Sequence, residues 1–364
     1  MKRYRIAVVA GDGIGPEVID SALTVLNGAE RAFSGFGLEF VEAPAGALVY
    51  LEQGIALPDS SFATCRGADA ILLGACGLPS VRYPDGTEIA PQITLRRMLD
   101  LFAGIRPAHL LKGIPCPLNG PPKIDLVIVR ESTEGLFASQ GGGVLLGDQL
   151  ATDTQVITRK GTERVVRASF ELARRRDRAN RKVTCVDKAN IFRSFAFFRS
   201  IFDEVATSYP DVAADHRYVD ATALELVRAP ENFDVIVTEN FLGDILSDLA
   251  AGLVGGLGMA PSADIGDRHA VFQPCHGTAP DIAGKNRANP IAAILSAAMM
   301  LDHLGDLHAD DSARSAARGI EMAVRSTVGA EGADLTADLG GTATTREMTE
   351  AILKRLGREA TAIS

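Results

Sequence analysis

Residues 238–249 read TENFLGDILSDL, and they follow a largely apolar run, FDVIV, at 233–237. The run predicts a buried strand, and the apolar residues from 245 to 253 recur at the spacing of a helix. Asp244 and Asp248 would then share one helix face, with their Cβ atoms about 5–6 Å apart. Two like charges repel at this distance, and a hard divalent cation, which prefers oxygen ligands, would reverse the interaction. The alternative is an acidic helix start that complements the helix dipole, and the pair alone does not decide between the two.

Length and composition indicate a folded protein with a sizeable core. The 364 residues suffice for one large or two ordinary domains, and 46% of them are hydrophobic. The net charge of −9 disfavours nucleic acid and anionic membranes as partners, and no apolar run reaches the length of a membrane span. The five cysteines form no C-x-x-C pair, and the N-terminus has no signal-peptide pattern. We therefore expect a cytoplasmic protein without a disulfide framework or a zinc site.

Strand-like and helical segments alternate from the N-terminus onwards. Residues 4–10 predict a strand, and GDGIGPE at 11–17 turns this strand into a predicted helix. A dinucleotide-binding turn of the G-x-G-x-x-G type requires glycine where Pro16 stands, and proline instead suits the first turn of a helix. Further strands are predicted at 38–41, 68–73, 124–129 and 183–187. The alternation predicts an α/β fold with a largely parallel sheet, and not a standard Rossmann fold.

Three arginines lie at the ends of three predicted elements. The pattern at 91–102 is helical and contains Arg96, Arg106 follows it, and Arg130 ends the strand at 124–129. If these ends meet, the guanidinium groups would hold a dicarboxylate, because each fork can bind a carboxylate with two hydrogen bonds. If they do not meet, all three are ordinary surface residues, and the sequence leaves this open.

Three later segments also bear on the structure or the function, and the last two of them have both a plain and a functional interpretation. The segment at 140–158 begins with a run of glycines, and apolar and polar stretches then alternate along it. This pattern predicts a hairpin arm. Lys188 follows a strand and is either an ion-pair partner of Asp187 or a functional lysine. The loop at 276–290 is rich in glycine and small residues, so it is either a plain connection or a place where the backbone approaches a ligand.

Together these segments resemble the isocitrate/isopropylmalate dehydrogenase family of β-hydroxyacid oxidative decarboxylases. The resemblance runs from GDGIGPE at 11–17 to DLGGT at 338–342, and the 3-isopropylmalate and tartrate/D-malate dehydrogenases are nearest in pattern. It implies an isopropylmalate dehydrogenase-like two-domain fold, with residues 1–101 plus 255–364 as a discontinuous first domain that carries much of the cofactor site. Residues 102–254 would form a central domain with the metal aspartates, the lysine base and a dimer-forming arm. The resemblance also implies a homodimer with shared active sites.

The resemblance assigns the acids and the lysine to catalysis. Asp244 and Asp248, together with Asp220 of the partner subunit, would bind Mg²⁺ or Mn²⁺, and Asp220 would also contact the substrate. Lys188, again from a partner, would be the general base that takes the proton of the C2 hydroxyl. A lysine base needs a pKa about 3 units below its usual value, which takes ~4 kcal/mol of differential interaction. The metal ion and the arginines would supply this, and the metal would also stabilise the enolate left by decarboxylation.

The resemblance also assigns the binding of substrate and cofactor. Arg96, Arg106 and Arg130 match the arginines that clamp a small dicarboxylate 2-hydroxy acid. Asp281 stands where NAD enzymes carry an acid, and NADP-dependent isocitrate dehydrogenases have lysine there. We therefore expect NAD as the cofactor. The predicted cofactor-binding residues are His276, Gly277, Thr278, Ala279, Pro280, Asp281, Ile282, Ala283 and Asn289.

Two expected substrate-binding positions depart from the family pattern. Gln92 stands where isopropylmalate dehydrogenases have an apolar leucine, and Phe137 stands where the family has a tyrosine acid. A phenyl ring cannot donate a proton. We expect metal-dependent, NAD-linked oxidation, with decarboxylation, of a 3-substituted malate of the isopropylmalate type. The alternatives are a tartrate/D-malate type dehydrogenase and, from another class, a catalytically weak regulatory subunit.

Overall fold

The computed structural model describes residues 2–119, 123–140, 142–176 and 178–363. Its strands are β1 (Lys2–Val9), β2 (Phe36–Glu42), β3 (Ala70–Leu73), β4 (Ala103–His109), β5 (Asp125–Glu131), β6 (Val144–Leu146), β7 (Leu150–Thr152), β8 (Lys182–Asp187), β9 (Ala213–Tyr218), β10 (Val235–Thr238), β11 (Pro261–Ile265) and β12 (Ala270–Pro274). Its α-helices are α1 (Gly15–Ala32), α2 (Ala47–Gln53), α3 (Asp59–Arg66), α4 (Pro91–Met98), α5 (Arg159–Arg175), α6 (Arg193–Ala206), α7 (Val219–Arg228), α8 (Asn240–Leu253), α9 (Ile291–His308), α10 (Asp311–Val328) and α11 (Thr345–Ile363). Within these ranges no helix is long and apolar enough to cross a membrane.

Ten strands form one sheet in the order β2-β1-β3-β12-β11-β4-β5-β10-β8-β9. Neighbouring strands run parallel except around β11, which is antiparallel to both β12 and β4, and between β4 and β5, which are also antiparallel. Helices connect most of the parallel strands, as crossovers of this kind require. The predicted α/β fold with a largely parallel sheet that is not a Rossmann fold is confirmed.

Hydrophobic cores pack against both ends of this sheet. One large core joins β1 and β12 to α1, α9, α10 and α11. A second core joins β5, β8 and β10 to α5 and α6. The sheet itself is continuous, because β11, from the predicted first domain, pairs with β4 in the predicted central domain. The division into residues 1–101 plus 255–364 and 102–254 stays a prediction.

The segment that follows α4 differs from its expected structure. The predicted helix at 91–102 ends at Met98, and residues 103–109 form β4. Pro107 lies in this strand and pairs with Val127 of β5, whereas the pairing with β11 extends only to Ile105. Proline has no backbone N–H to donate to a neighbouring strand, so it is tolerated where one side of the strand is unpaired.

The hairpin arm is present as predicted. Strands β6 and β7 pair in antiparallel fashion, with Leu145 opposite Ala151. All six residues of the two strands are exposed, although three of them on β6 are large and apolar. Gly141, in the glycine run that begins the predicted arm, lies outside the described residues. The arm therefore carries apolar surface that this chain alone does not cover.

Candidate active site

A cleft of about 350 Å³ opens beside the central strands β11, β4 and β5. Among the residues expected to form the site, it is lined by Gln92, Arg96, Arg106, Arg130, Phe137, Asp244, Asp248, His276 and Gly277. The three arginine-bearing ends do meet, since Arg96 comes from α4, Arg106 from β4 and Arg130 from β5. Lys188, Asp220 and the loop residues from 278 onwards do not line it.

The guanidinium groups lie close enough to affect one another. Arg130 donates from Nε to Oδ1 of Asn240 at 2.8 Å and from Nη1 to the carboxylate of Asp244. Burial and the positive charge of Arg96 lower the pKa of Arg130 to about 10, although the carboxylate of Asp244 opposes the change. An anion bound between the arginines would relieve this repulsion.

Asp264 on β11 is the functional-site residue that sequence reasoning missed. Its side chain is fully buried, and it forms ion pairs with Nε of Arg96 at 3.0 Å and with Nη2 of Arg106 at 3.1 Å. Burial alone would raise the pKa of this carboxyl, but the charges of Arg106 and Arg96 hold it below its usual value. The available signal was a carboxylate inside the short buried strand PSADI, because a buried charge requires a partner.

Asp244 and Asp248 lie on the cleft side of α8, as their spacing predicted. Partial burial and the charge of Asp244 raise the pKa of Asp248. The described residues contain no group of three His, Cys, Asp or Glu side chains arranged to hold a metal ion. This chain therefore presents two adjacent carboxylates, and a complete oxygen site requires further ligands from elsewhere.

Asp244 lies beyond the first turn of α8. The helix begins at Asn240, and Glu239 caps it by accepting hydrogen bonds from the backbone N–H groups of Phe241 and Leu242 at 3.1 and 2.7 Å. The first turn contains no acid, so Asp244 does not complement the helix dipole there. An acidic helix start that complements the helix dipole therefore does not explain Asp244.

Glycine at position 243 brings α8 close to β5. A Cβ atom at this position would lie 2.7 Å from Cβ and Cγ of Arg130, closer than two carbon atoms pack. Gly243 therefore allows the helix that carries the two aspartates to approach the strand that carries Arg130.

Lys188 and Asp220 lie together, away from the cleft. Nζ of Lys188 donates to Oδ1 of Asp220, and this contact lowers the pKa of the Asp220 carboxyl. Asp187, the expected plain partner of Lys188, instead holds Arg199 through two hydrogen bonds of 2.7 and 2.8 Å. Within one chain, Lys188, the predicted base, is thus paired with Asp220, the predicted third metal ligand.

Gln92 and Phe137 both face the cleft. Oε1 of Gln92 is buried and has no hydrogen-bond partner among the described residues. The ring of Phe137 lies against the guanidinium group of Arg130, with 5.0 Å between its centroid and Cζ. Gln92 therefore offers an unused acceptor, and Phe137 supports an arginine of the cluster.

The loop after β12 is held at both of its ends. The carbonyl of Thr278 accepts from the N–H of Ile14 at 2.8 Å, and Asn289 donates from Nδ2 to Asp338 at 3.0 Å. Gly13 has a φ of +59°, and a Cβ atom there would collide with the carbonyl of Thr278, so this contact requires glycine. The turn GDGIGPE thus supports the loop directly.

Between these anchors the loop is partly open. Ala279, Ile282 and Ala283 pack against the first core, while Pro280 and Asp281 are exposed. His276 has a pKa lowered by burial, and its Nε2 is buried without a partner among the described residues. Apart from Gly277 and its two chain neighbours, no atom of the described residues lies within 4 Å of a Cβ built on Gly277, which leaves room for a ligand at the edge of the cleft.

Known proteins match this chain over nearly its whole length. The sequence model of the isocitrate/isopropylmalate dehydrogenase family matches residues 5–352. A 3-isopropylmalate/3-methylmalate dehydrogenase of Methanocaldococcus jannaschii is 44% identical and covers 98% of this chain and 100% of its own. An isocitrate/homoisocitrate dehydrogenase of Thermus thermophilus is 46% identical over 97% and 98% of the two chains.

Solved structures agree with the sequence matches. The crystal structure of isocitrate dehydrogenase from Methylococcus capsulatus superposes with a TM-score of 0.85, at 39% identity, and covers 97% of this chain and 99% of its own. A β-decarboxylating dehydrogenase from Thermococcus kodakarensis gives a TM-score of 0.79 at 39% identity, over 97% and 96% of the two chains. By sequence and by structure, the chain belongs to the isocitrate/isopropylmalate dehydrogenase family, which is a family of enzymes.

Proposed function

We propose that the protein is a cytoplasmic, NAD-linked, divalent-metal-dependent dehydrogenase that oxidises and decarboxylates a 3-substituted malate. The observation that carries the proposal is the meeting of Arg96, Arg106 and Arg130 with Asp244 and Asp248 in one cleft. Guanidinium forks suit the carboxylates of such a substrate, and adjacent aspartates suit a hard cation beside it. The name of the Methanocaldococcus jannaschii relative, a 3-isopropylmalate/3-methylmalate dehydrogenase, supports this substrate class.

The residues present fit a metal ion and a dinucleotide. Burial and then the charge of Asp244 raise the pKa of Asp248, and a cation bound to both aspartates would relieve the repulsion between them. The free Nε2 of His276 and the open space at Gly277 fit a cofactor at the edge of the cleft. When bound, Mg²⁺ or Mn²⁺ supplies Lewis acidity at the C2 oxygen, and NAD⁺ supplies the hydride acceptor.

The residues of the chain would bind the substrate and move its protons. Arg96 and Arg130 would hold the carboxylates, with the ring of Phe137 fixing the plane of the Arg130 guanidinium. Lys188 would remove the C2 hydroxyl proton during oxidation. Because Lys188 does not line the cleft of its own chain, we assign this role to Lys188 of a partner subunit, together with its Asp220.

A homodimer would complete the site in this way. Asp220 lies on α7, and the neighbouring apolar residues Leu224 and Val227 of this helix are exposed, as are Phe241 and Ile245 on α8. The exposed leucines of the hairpin arm add to this uncovered apolar surface. Exposed apolar side chains that lie near one another are typical of an interface, and those on α7 and α8 lie on the helices that carry Asp220 and the two cleft aspartates.

The test is a screen of 3-substituted malates with NAD⁺ and Mn²⁺, in which NADH and CO₂ are both measured. We expect turnover that chelator abolishes, and that Asp248→Asn lowers by at least about a hundredfold without altering the melting temperature. Asp20→Asn, on the exposed face of α1, is the matched control. Full activity in chelator would contradict the proposal, and no turnover of any substrate would favour a regulatory subunit.

A tartrate/D-malate type dehydrogenase is the second candidate, and Gln92 favours it. The buried, unpaired Oε1 of Gln92 in the cleft would accept a hydrogen bond from a substrate hydroxyl. Left unpaired against an isopropyl group, such an amide costs roughly 1–3 kcal/mol. We therefore expect Gln92→Leu to shift kcat/KM towards 3-isopropylmalate by about ten- to hundredfold relative to tartrate, whose C3 hydroxyl is the group that the amide would bind. A wild-type enzyme that strongly prefers 3-isopropylmalate would show that Gln92 does not meet the C3 group.

A further inference from the structure

Asp264 accepts hydrogen bonds from four side chains beneath the cleft. Its Oδ1 accepts from Nη2 of Arg106 at 3.1 Å and from the hydroxyl of Ser132 at 3.2 Å. Its Oδ2 accepts from Nε of Arg96 at 3.0 Å and from Nε2 of Gln273 at 3.0 Å. A buried carboxylate with this many donors stays ionised and holds its partners in one arrangement.

The carboxylate orients the two arginines differently. Arg96 is bound through Nε, so the far end of its guanidinium group remains directed to the cleft that it lines. Arg106 gives Nη2 to Asp264 and Nη1 to the backbone carbonyls of Ile105 and Ala263, at 3.3 and 3.2 Å. Asp264 therefore leaves Arg96 available to a substrate and keeps Arg106 mainly as a fixed positive charge.

Asp264 also sets the charge that a substrate meets. The arginines at 96, 106 and 130 are the only lysine or arginine residues among the described side chains that line the cleft. Asp264 cancels one of their three positive charges, and a divalent cation bound to Asp244 and Asp248 would balance these two acids, so that two arginine charges are left for the two carboxylates of a malate-type substrate. Glu88 lines the same cleft, but Arg82 balances its charge through an ion pair of 3.1 Å, so Asp264 carries the selection.

We propose that Asp264 is a positioning residue that fixes Arg96 and Arg106 under the substrate and, through its charge, selects dicarboxylates over tricarboxylates such as isocitrate. This inference rests on the proposed dehydrogenase function and names the substrate class within it. A charge inside a low-dielectric site acts strongly on other charges nearby, so one fixed carboxylate suffices for such discrimination.

The test compares kcat/KM for 3-methylmalate and for isocitrate, with NAD⁺ and Mn²⁺, in wild type and three variants. Asp264→Asn removes the negative charge, and Gln273→Lys places an ammonium group against the same carboxylate. Gln273→Leu alters the same side chain without altering charge and is the matched control. We expect both charge variants to raise the isocitrate to 3-methylmalate ratio at least about tenfold, mainly through the KM for isocitrate, and the control to leave it unchanged.

A purely structural role would give another result. Loss of packing alone would lower kcat/KM for both substrates together and leave their ratio unchanged. An unaltered ratio in the charge variants, or a wild-type preference for isocitrate, would overturn the inference. Should Asp264→Asn not fold, the pair Gln273→Lys and Gln273→Leu still carries the comparison.

A binding measurement separates this inference from the proposed function. Calorimetry of the protein in excess Mg²⁺ and without NAD⁺, with D-malate and with citrate, requires no turnover. We expect wild type to bind D-malate more tightly than citrate, and Asp264→Asn to reverse or abolish this order. If wild type oxidises no 3-substituted malate, the proposed function fails while the calorimetry still decides the role of Asp264. Equal binding of both acids by wild type, or binding of neither, would contradict the inference.

Discussion

Phe137 faces the cleft with its ring against the guanidinium group of Arg130, and it has no proton to donate. If a tyrosine serves as the general acid in relatives, its loss costs about 10²–10⁴-fold in the protonation step unless water or a nearby hydroxyl replaces it. Oxidation at C2 should therefore survive better than release of CO₂. We therefore expect Phe137 to slow the protonation that follows decarboxylation more than the oxidation at C2.

We predict that Phe137→Tyr raises CO₂ release relative to NADH formation on the preferred substrate. The added hydroxyl restores a proton donor, while the ring keeps its place on Arg130. Parallel measurement of NADH and CO₂ gives the ratio in both proteins. A wild-type ratio of one that the substitution leaves unchanged would mean that another group already protonates the product.

Asp281 is exposed on the loop after β12, where its carboxylate would repel the 2′-phosphate of NADP. We predict that Asp281→Lys raises the NADP to NAD ratio of kcat/KM by roughly ten- to thirtyfold, because an anion is removed and a cation is added at about 1 kcal/mol each in water. Asp281→Asn, which only removes the anion, should give about half of this effect in free energy. A wild-type enzyme that prefers NADP would refute the cofactor assignment.

At the scale of elements, helix α8 positions the aspartates and is itself positioned by a glycine. Alanine normally stabilises a helix relative to glycine by about 1 kcal/mol. At Gly243 an added methyl group would instead press on Arg130, whereas at Gly252 of the same helix it would meet open space. The two positions thus separate helix propensity from the contact with β5.

We predict that Gly243→Ala lowers the melting temperature and raises the KM for the substrate, since Arg130 or the helix must move. Gly252→Ala is the control, and it should leave KM unchanged and the stability equal or higher. Thermal melting and steady-state kinetics measure both effects. A Gly243→Ala protein with unaltered KM and higher stability would show that this close contact does not position Arg130.

The same elements show what the sequence could and could not predict. The strand, the helix and the shared face of Asp244 and Asp248 follow from local spacing, because periodicity is a local property. Strand β4 was not predicted, because a proline argues against a strand with neighbours on both sides. Local sequence does not show that Pro107 has a neighbouring strand on one side only. Asp264 was missed for a related reason. Its role depends on Arg96 and Arg106, which are more than 150 residues away, and spacing cannot reveal such a contact.

At the scale of the whole molecule, one chain does not bring all of the proposed catalytic groups together in one cleft. Asp244 and Asp248 line the cleft, while Lys188 and Asp220 bind each other outside it. Exposed apolar residues on α7, on α8 and on the hairpin arm supply surface for a second copy. The proposed function therefore requires two copies of the chain, each of which donates catalytic residues to the site of the other.

Complementation between two inactive variants tests this central claim most directly. Asp248→Asn would disable the cleft side of a site, and Lys188→Met would disable the side that a partner donates. After the two proteins are mixed, dissociated and reassociated, half of the dimers are mixed, and each has one site with both residues intact. We predict recovery of about a quarter of wild-type NADH formation, from two proteins that are each inactive alone. Mixed dimers that form, as shown by mass spectrometry of differently tagged subunits, but recover no activity would contradict the account.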